Sequence, residues 1–407
     1  MSHSHIVRIF QDYDSQLWIL FGGWIVSAMG FAMVVPFISI YFHLELGIPM
    51  SIVGGFFFVT AVIRAASQII AGNLSDSIGR RGIMVFAQIV RGLVFFGVAV
   101  TIYFRMSFLL TAFILVIGYL LASFFQPVAN AMVADIVPSE KRTDAYGLLR
   151  VAANIGWGIG PAAGGFLAKN SYATLFFAAG ILAMISGVTI LLFIRESNLN
   201  RRKLQRSTFY PKSILRVFSD RKFLTYCIIS LMMFLTMAQL IATVSVYSRE
   251  TIGISNIQLG FLYSANAFTV VLFQMAISRT IRQKNLFLVL SFGSFLYSVG
   301  YSLMAIPSTI TGILVLVFLV TTAEMLVGPA ASTMVARMAP ENQHGHYMGA
   351  FGLFQTLGWS VGPFVGGLLL DFAPNPTVLW LGVSVFGILG GLGYLRMNAR
   401  YPENRFS

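Results

Sequence analysis

Charge is scarce in this chain. Only 10% of its 407 residues are Asp, Glu, Lys or Arg, against 57% hydrophobic, whereas a soluble domain carries about 25% charged residues. Mean hydropathy is +0.81. One cysteine, Cys227, excludes an intrachain disulfide and a cysteine-built metal site. The five histidines, His3, His5, His43, His344 and His346, fall in tails or loops, so no buried histidine relay is expected. No phosphate-cradling Gly-rich loop, catalytic-triad spacing or metal-ligand cluster occurs. The chain therefore does not read as an enzyme or an ATP-driven pump, and no cofactor is expected beyond a proton as coupling ion. Acidic residues number 14 against 27 basic, a formal net charge of +13.

Long apolar runs are abundant. A membrane helix needs about 20 such residues, and the chain supplies twelve runs. The first six are Leu17–Phe42, Ile52–Leu74, Gly82–Phe104, Phe108–Ala134, Tyr146–Ala168 and Ala173–Ile194. The second six are Phe223–Tyr247, Ile257–Ile277, Leu286–Ile306, Thr309–Ala336, Tyr347–Leu370 and Val378–Leu395. The expected fold is all-α, with 12 transmembrane helices in two pseudo-symmetric six-helix bundles. Residues 1–194 form the first bundle, 195–222 a basic linker and 223–407 the second bundle. The outer loops hold only Arg105, Lys169 and Arg249, while Arg64, Arg91 and Arg150 lie within spans. All other basic residues fall on the opposite side. That asymmetry predicts a multi-pass protein of the inner (cytoplasmic) membrane with both termini in the cytoplasm. The basic charge thus reads as a topology signal facing a lipid bilayer, not as a nucleic-acid surface. The first run is long enough to span, so no cleavable signal is expected there.

The halves are related. Gly156-Trp157-Gly158-Ile159-Gly160-Pro161-Ala162-Ala163-Gly164-Gly165 recurs as Gly358-Trp359-Ser360-Val361-Gly362-Pro363-Phe364-Val365-Gly366-Gly367, and Pro127, Pro138 and Gly147 recur in the same register as Pro329, Pro340 and Gly349. On a helix, Gly156, Gly160 and Gly164 share one face, as do Gly358, Gly362 and Gly366. Such a face lets a second helix backbone approach closely. Pro161 and Pro363 each remove a backbone donor and weaken the helix locally. Packing alone and a hinge or seal in a transport cycle are both open to these elements.

The loop after the second span reads Gly72-Asn73-Leu74-Ser75-Asp76-Ser77-Ile78-Gly79-Arg80-Arg81. Gly79 permits a tight turn. Asp76 is an anion at a helix end, able to accept from a helix N-terminus or to pair with an arginine, and Asp135 could receive Arg80 or Arg81. This loop resembles the signature of the major facilitator superfamily. The Gly-Pro element of the fifth span (Gly156, Gly160, Pro161, Gly164, Gly165) resembles the antiporter motif of its 12-helix drug/proton antiporter branch. Asp135 to Arg142 resembles the loop after the family's fourth span. The resemblance implies that Asp76 clamps the start of the eleventh span, that Gly72, Gly79, Arg80, Arg81, Asp135 and Arg142 belong to a cytoplasmic gate, and that the Gly-Pro segment limits ion leak. The second half has Arg279, Arg282 and Lys284 but no Asp-x-x-Gly, so the clamp is asymmetric.

Glu324 is the carboxylate that falls mid-span, in the tenth run. A charged, lipid-exposed carboxylate there costs at least about 2.5–3.5 kcal/mol, so it should face the interior. A group protonated on one side of a cycle and ionised on the other carries a proton; a Glu in the tenth helix also resembles some drug/proton antiporters. A permanently protonated Glu324 bonded to a carbonyl is the alternative. Arg64 and Arg91 need partners, with Glu324 or a substrate anion available, whereas Arg150 can snorkel. Gln126 and Asn130 share a face near Pro127 and are candidate pore-lining residues. The fourth span lacks the arginine many family members carry.

The functional expectation is a monomeric secondary transporter that exports a small lipophilic compound in exchange for protons by alternating access. A symporter or uniporter of a small, possibly anionic metabolite is the alternative. A non-transporting membrane sensor or lipid-handling protein on the same fold is the third class.

Overall fold

A computed structural model describes residues 13–138, 141–197, 217–281, 283–340 and 343–401. Among the described residues every regular element is helical, and ten helices are long and apolar enough to cross a membrane. With Met50–Ile78, whose first part is a shorter apolar helix, and Arg142–Ala168, they make a 12-helix bundle protein. Outward-facing positions such as Leu109, Phe113, Phe268 and Phe292 are mostly exposed. That suits a lipid solvent, which offers no penalty to apolar surface.

Backbone proximity divides the chain into two units. The first is 1–38 with 62–206; the second is 39–61 with 207–407. The stretch Ser39–Ala61, covering the end of span one and the start of span two, groups with the second unit. Most of the basic linker expected at 195–222 lies outside the described residues.

In the first half of the chain, span one (Ser15–Ile40), span two (Met50–Ile78), span three (Arg80–Tyr103), span five (Arg142–Ala168) and span six (Tyr172–Phe193) are continuous helices. Spans five and six begin or end within a few residues of expectation. Span four is not one helix, as the sequence suggested, but two: Phe108–Ala122 and Phe125–Ile136. Pro127 explains the break. It has no N–H to donate to Ser123, and its ring crowds that carbonyl. Beside the break the Ser123 hydroxyl donates back to Leu120 O at 2.6 Å.

The glycine face of span five meets span one as its spacing required. A Cβ on Gly156 would lie 2.6 Å from Ala28 Cβ, and one on Gly160 would lie 2.7 Å from Met29 O; Gly164 abuts Met33. The helix runs through Pro161 without interruption.

The second unit repeats the device. Span seven is Arg221–Met237 followed by a 3₁₀ turn and Thr243–Glu250, and span eleven is His344–Phe372. Gly358 abuts Phe234, Gly362 abuts Ala238, and Gly366 abuts Gln239 and Thr243. Gln239 Nε2 donates to Gly362 O at 2.9 Å, tying the two helices together where span seven breaks. Span eight is Asn256–Ile281, span nine Leu286–Ser302, span ten Ile310–Met338 and span twelve Pro376–Arg400. Spans nine and twelve are joined by serines: Ser291 Oγ donates to Gly391 O at 2.9 Å and Ser298 Oγ to Ser384 O at 3.1 Å. Hydroxyl–carbonyl contacts of this kind hold helices together where no hydrophobic drive exists between them. Helix starts are marked by caps: Asp220 accepts from Lys222 N and Phe223 N, Asn285 from Leu288 N, Thr309 from Gly312 N and Asn375 from Val378 N.

Candidate functional site

The first unit holds a cavity of about 250 Å³. The break in span four opens onto it, contributing Ser123, Phe125 and Gln126; span two contributes Arg64, span three Arg91, and span one Trp24, Ser27 and Phe31. Tyr119 and Trp157 complete an aromatic wall. Phe31 sits edge-on to both, at 5.9 and 6.3 Å between ring centroids, and Trp24 lies 5.2 Å from Phe125.

The two arginines differ. Arg91 is buried, 6% exposed. Its Nη2 donates to Ser27 Oγ at 2.8 Å and to Gln88 Oε1, while Gln88 Nε2 donates to Ser27 Oγ at 2.7 Å. Its Nε is buried with no hydrogen-bond partner among the described residues. Arg64 makes no hydrogen bond or ion pair among the described residues, and Tyr119 shares the cavity lining with it. Among the described residues no Asp or Glu lines the cavity. Of the sequence candidates, Arg64, Arg91 and Gln126 are brought together here. Asn130 is not among the lining residues; its carbonyl accepts from Tyr146 OH at 3.3 Å. Arg150 is exposed.

Glu324 lies in the second unit, on span ten. Asn266 of span eight reaches it, Nδ2 to Oε2 at 3.4 Å, and the same amide donates to Thr321 Oγ1 at 2.7 Å. Tyr297 and Tyr301 of span nine are its electrostatic neighbours. The expectation that Glu324 faces protein rather than lipid matches this setting of polar side chains. Nothing in the sequence marks Asn266, because a lone amide in an apolar run carries no pattern.

At the loop between spans two and three, Gly79 has φ +116°, a conformation glycine tolerates and other residues resist. Arg80 Nε donates to Asp135 Oδ2 at 3.3 Å, forming the ion pair the sequence offered as an option. Arg142 Nε donates to Val137 O at 3.2 Å. The larger anchor has no signature in the sequence. The Glu196 carboxylate accepts from Arg80 N at 2.7 Å and Arg81 N at 3.0 Å, capping span three. Gly72 and Asp76 lie on the span-two helix, and the side-chain roles expected of them fall outside what the structure describes. Among the described residues no group of His, Cys, Asp and Glu could hold a metal ion.

The Major Facilitator Superfamily model matches residues 20–363. A Na(+), Li(+), K(+)/H(+) antiporter of Planococcus maritimus is 25% identical, with 97% of this chain and 98% of that protein aligned. The quinolone resistance protein NorA of Staphylococcus aureus (strain MSSA476) is 24% identical over 92% of this chain and 95% of its own length. A solved bacterial homolog of the human lysosomal transporter Spinster shares the fold, with TM-score 0.77 and 13% identity over 96% of this chain and 98% of that one. The 12-helix architecture, the Gly79-Arg80-Arg81 loop and these matches agree: the chain belongs to the Major Facilitator Superfamily, a multi-pass membrane protein of secondary transport with antiporters among its relatives, and not an enzyme.

Proposed function

We propose that this protein is a proton-coupled antiporter that exports a small lipophilic compound across the cytoplasmic membrane, with both termini in the cytoplasm. The carrying observation is the setting of Glu324. Its carboxyl is held by an uncharged amide and lies near tyrosines on a membrane span. Neutral partners can stabilise both the protonated and the ionised form through hydrogen bonds, whereas a permanent cationic partner would hold it ionised. Glu324 takes a proton from the outer side, which favours substrate release and the return to the inward-open state. It gives the proton up on the inner side, which restores the high-affinity state. The aromatic wall of Trp24, Phe31, Tyr119, Phe125 and Trp157 supplies apolar contact for substrate. The relatives' antiport and drug-resistance descriptions support the reading.

The test is substrate-evoked proton movement in proteoliposomes under an imposed pH gradient, comparing wild type with Glu324→Gln. Lipophilic cations, neutral amphiphiles, organic anions and Na⁺ are presented in turn. Gradient dissipation by an organic compound in wild type, lost in Glu324→Gln, is the expected result. Unchanged coupling in Glu324→Gln would overturn the assignment of this carboxyl. Proton movement with Na⁺ alone would overturn the organic substrate.

A further inference from the structure

We infer that the cavity of the first unit binds a planar aromatic carboxylate, with Arg64 as its counter-charge. The inference rests on the transport reading above and names its substrate class. Two guanidinium groups line a cavity in which, among the described residues, there is no carboxylate. Two cations desolvated together without an anion are costly, and the cost is relieved when an anion joins them. Among the described residues, Asp14 and Asp144 of this unit do not line the cavity, and two further carboxylates are engaged elsewhere. Asp135 is engaged by Arg80 and Ser197, and Glu196 by the backbone of Arg80 and Arg81, all at the loop end of the helices.

The division of labour between the arginines follows from their bonds. Arg91 is tied to Ser27 and Gln88 and is structural on its Nη2 side, yet its buried Nε still lacks an acceptor. Arg64 has both edges of its guanidinium uncommitted among the described residues. A carboxylate fits that fork bidentately, in a way that a halide or an alcohol does not. Gln126, exposed and without a hydrogen bond among the described residues, offers an amide N–H to the same cavity. The remaining wall is aromatic. Indole, phenol and phenyl rings line the cavity, and offset stacking of a flat ring on one of them contributes about 0.5–1.5 kcal/mol per pair. A volume of about 250 Å³ lies just below the usual range for ligand pockets, roughly 300–1,000 Å³. One or two fused rings bearing a single carboxylate fit these limits. A lipophilic cation does not, since both fixed charges would repel it.

The test uses three probes of one shape: 2-naphthoate, 2-naphthamide and 2-naphthylmethylammonium. Binding of each to the purified full-length protein is measured by equilibrium dialysis. Wild type should bind the carboxylate at least about tenfold tighter than the amide, in line with a charge-assisted pair, and the ammonium least. Arg64→Gln should remove that preference, and Arg64→Lys should keep part of it. Equal or tighter binding of the amide or the ammonium by wild type overturns the inference without reference to any variant. Retention of the full preference in folded Arg64→Gln overturns the role of Arg64. The two readings fail separately. Selective naphthoate binding with no proton-linked flux would overturn the transport reading alone. Proton-linked flux confined to cations would overturn this inference alone.

Discussion

Asp371 at the end of span eleven caps the helix that begins at Met50. Its two carboxylate oxygens accept from Met50 N at 2.9 Å and Ser51 N at 2.7 Å. Both residues belong to the second unit, and the contact explains why Ser39–Ala61 groups there. Beside it, Gly367 abuts Met50, and Gly54 abuts Pro363 and Phe364. An anion at a helix N-terminus satisfies orphan donors and complements the helix dipole. Asp371→Ala should therefore lower stability by about 0.5–2 kcal/mol, while Asp371→Asn, which keeps an acceptor, should lose less. Apparent melting temperatures of the two purified variants check the order. Equal melting of Asp371→Ala and wild type would remove the cap from the account.

The glycine face of span five gives a positional prediction. Gly160→Leu must push span one aside, because the added Cβ alone would lie 2.7 Å from Met29 O. Overpacking of this kind costs typically about 1–3 kcal/mol. Gly147, on the same helix, faces open space, with no neighbouring atom within 4 Å of where a Cβ would stand. Gly147→Ala should be neutral or slightly stabilising, since alanine is the better helix former. Thermal unfolding of the pair distinguishes a packed face from general glycine tolerance. A neutral Gly160→Leu would show that the helices separate freely.

At Gly79 two costs should be separable. The backbone there has φ +116°, and a Cβ would lie 2.5 Å from the Glu196 carboxylate. Gly79→Ala should therefore destabilise through strain and through collision. Glu196→Ala removes the helix cap, at about 0.5–2 kcal/mol, but also clears the space. The double variant should consequently be less damaged than the two single effects added together, by about 0.5 kcal/mol or more. Strict additivity in a double-mutant cycle would mean that the carboxylate swings away unaided.

Much of this architecture is legible in the sequence, because the bilayer imposes a length and a polarity on every span. Apolar runs located the helices, and Gly156, Gly160 and Gly164 announced a close crossing by spacing alone. What escaped is instructive. The break in span four was signalled by Pro127, but proline is tolerated in membrane helices, as the unbroken course through Pro161 shows. Its consequence depends on neighbours that a one-dimensional pattern does not contain. Glu196 and Asp371 looked like ordinary end-of-span carboxylates, and their donors lie 116 and 321 residues away in sequence. Arg64 and Arg91 stood out equally as charges in apolar runs, yet only the fold distinguishes the bonded arginine from the uncommitted one.

Asn266 supplies the sharpest test of the coupling site. Its amide holds Glu324 Oε2 at 3.4 Å and Thr321 Oγ1 at 2.7 Å at once, so it orients the carboxyl while carrying no charge itself. Asn266→Ala should leave the acid present but less constrained, and remove one donor to its ionised form. The loss of a neutral hydrogen bond, about 0.5–1.5 kcal/mol, corresponds to roughly two- to tenfold. Proton-linked flux should fall by that factor, whereas Glu324→Gln should abolish it. Thr321→Val removes the amide's second partner without touching Glu324 and should have the smallest effect of the three. Initial rates of gradient dissipation in proteoliposomes, normalised to protein content, give the ranking directly. If Asn266→Ala matches Glu324→Gln in full loss, Asn266 holds more than the orientation of the carboxyl; if it matches wild type, the 3.4 Å contact has no part in the cycle.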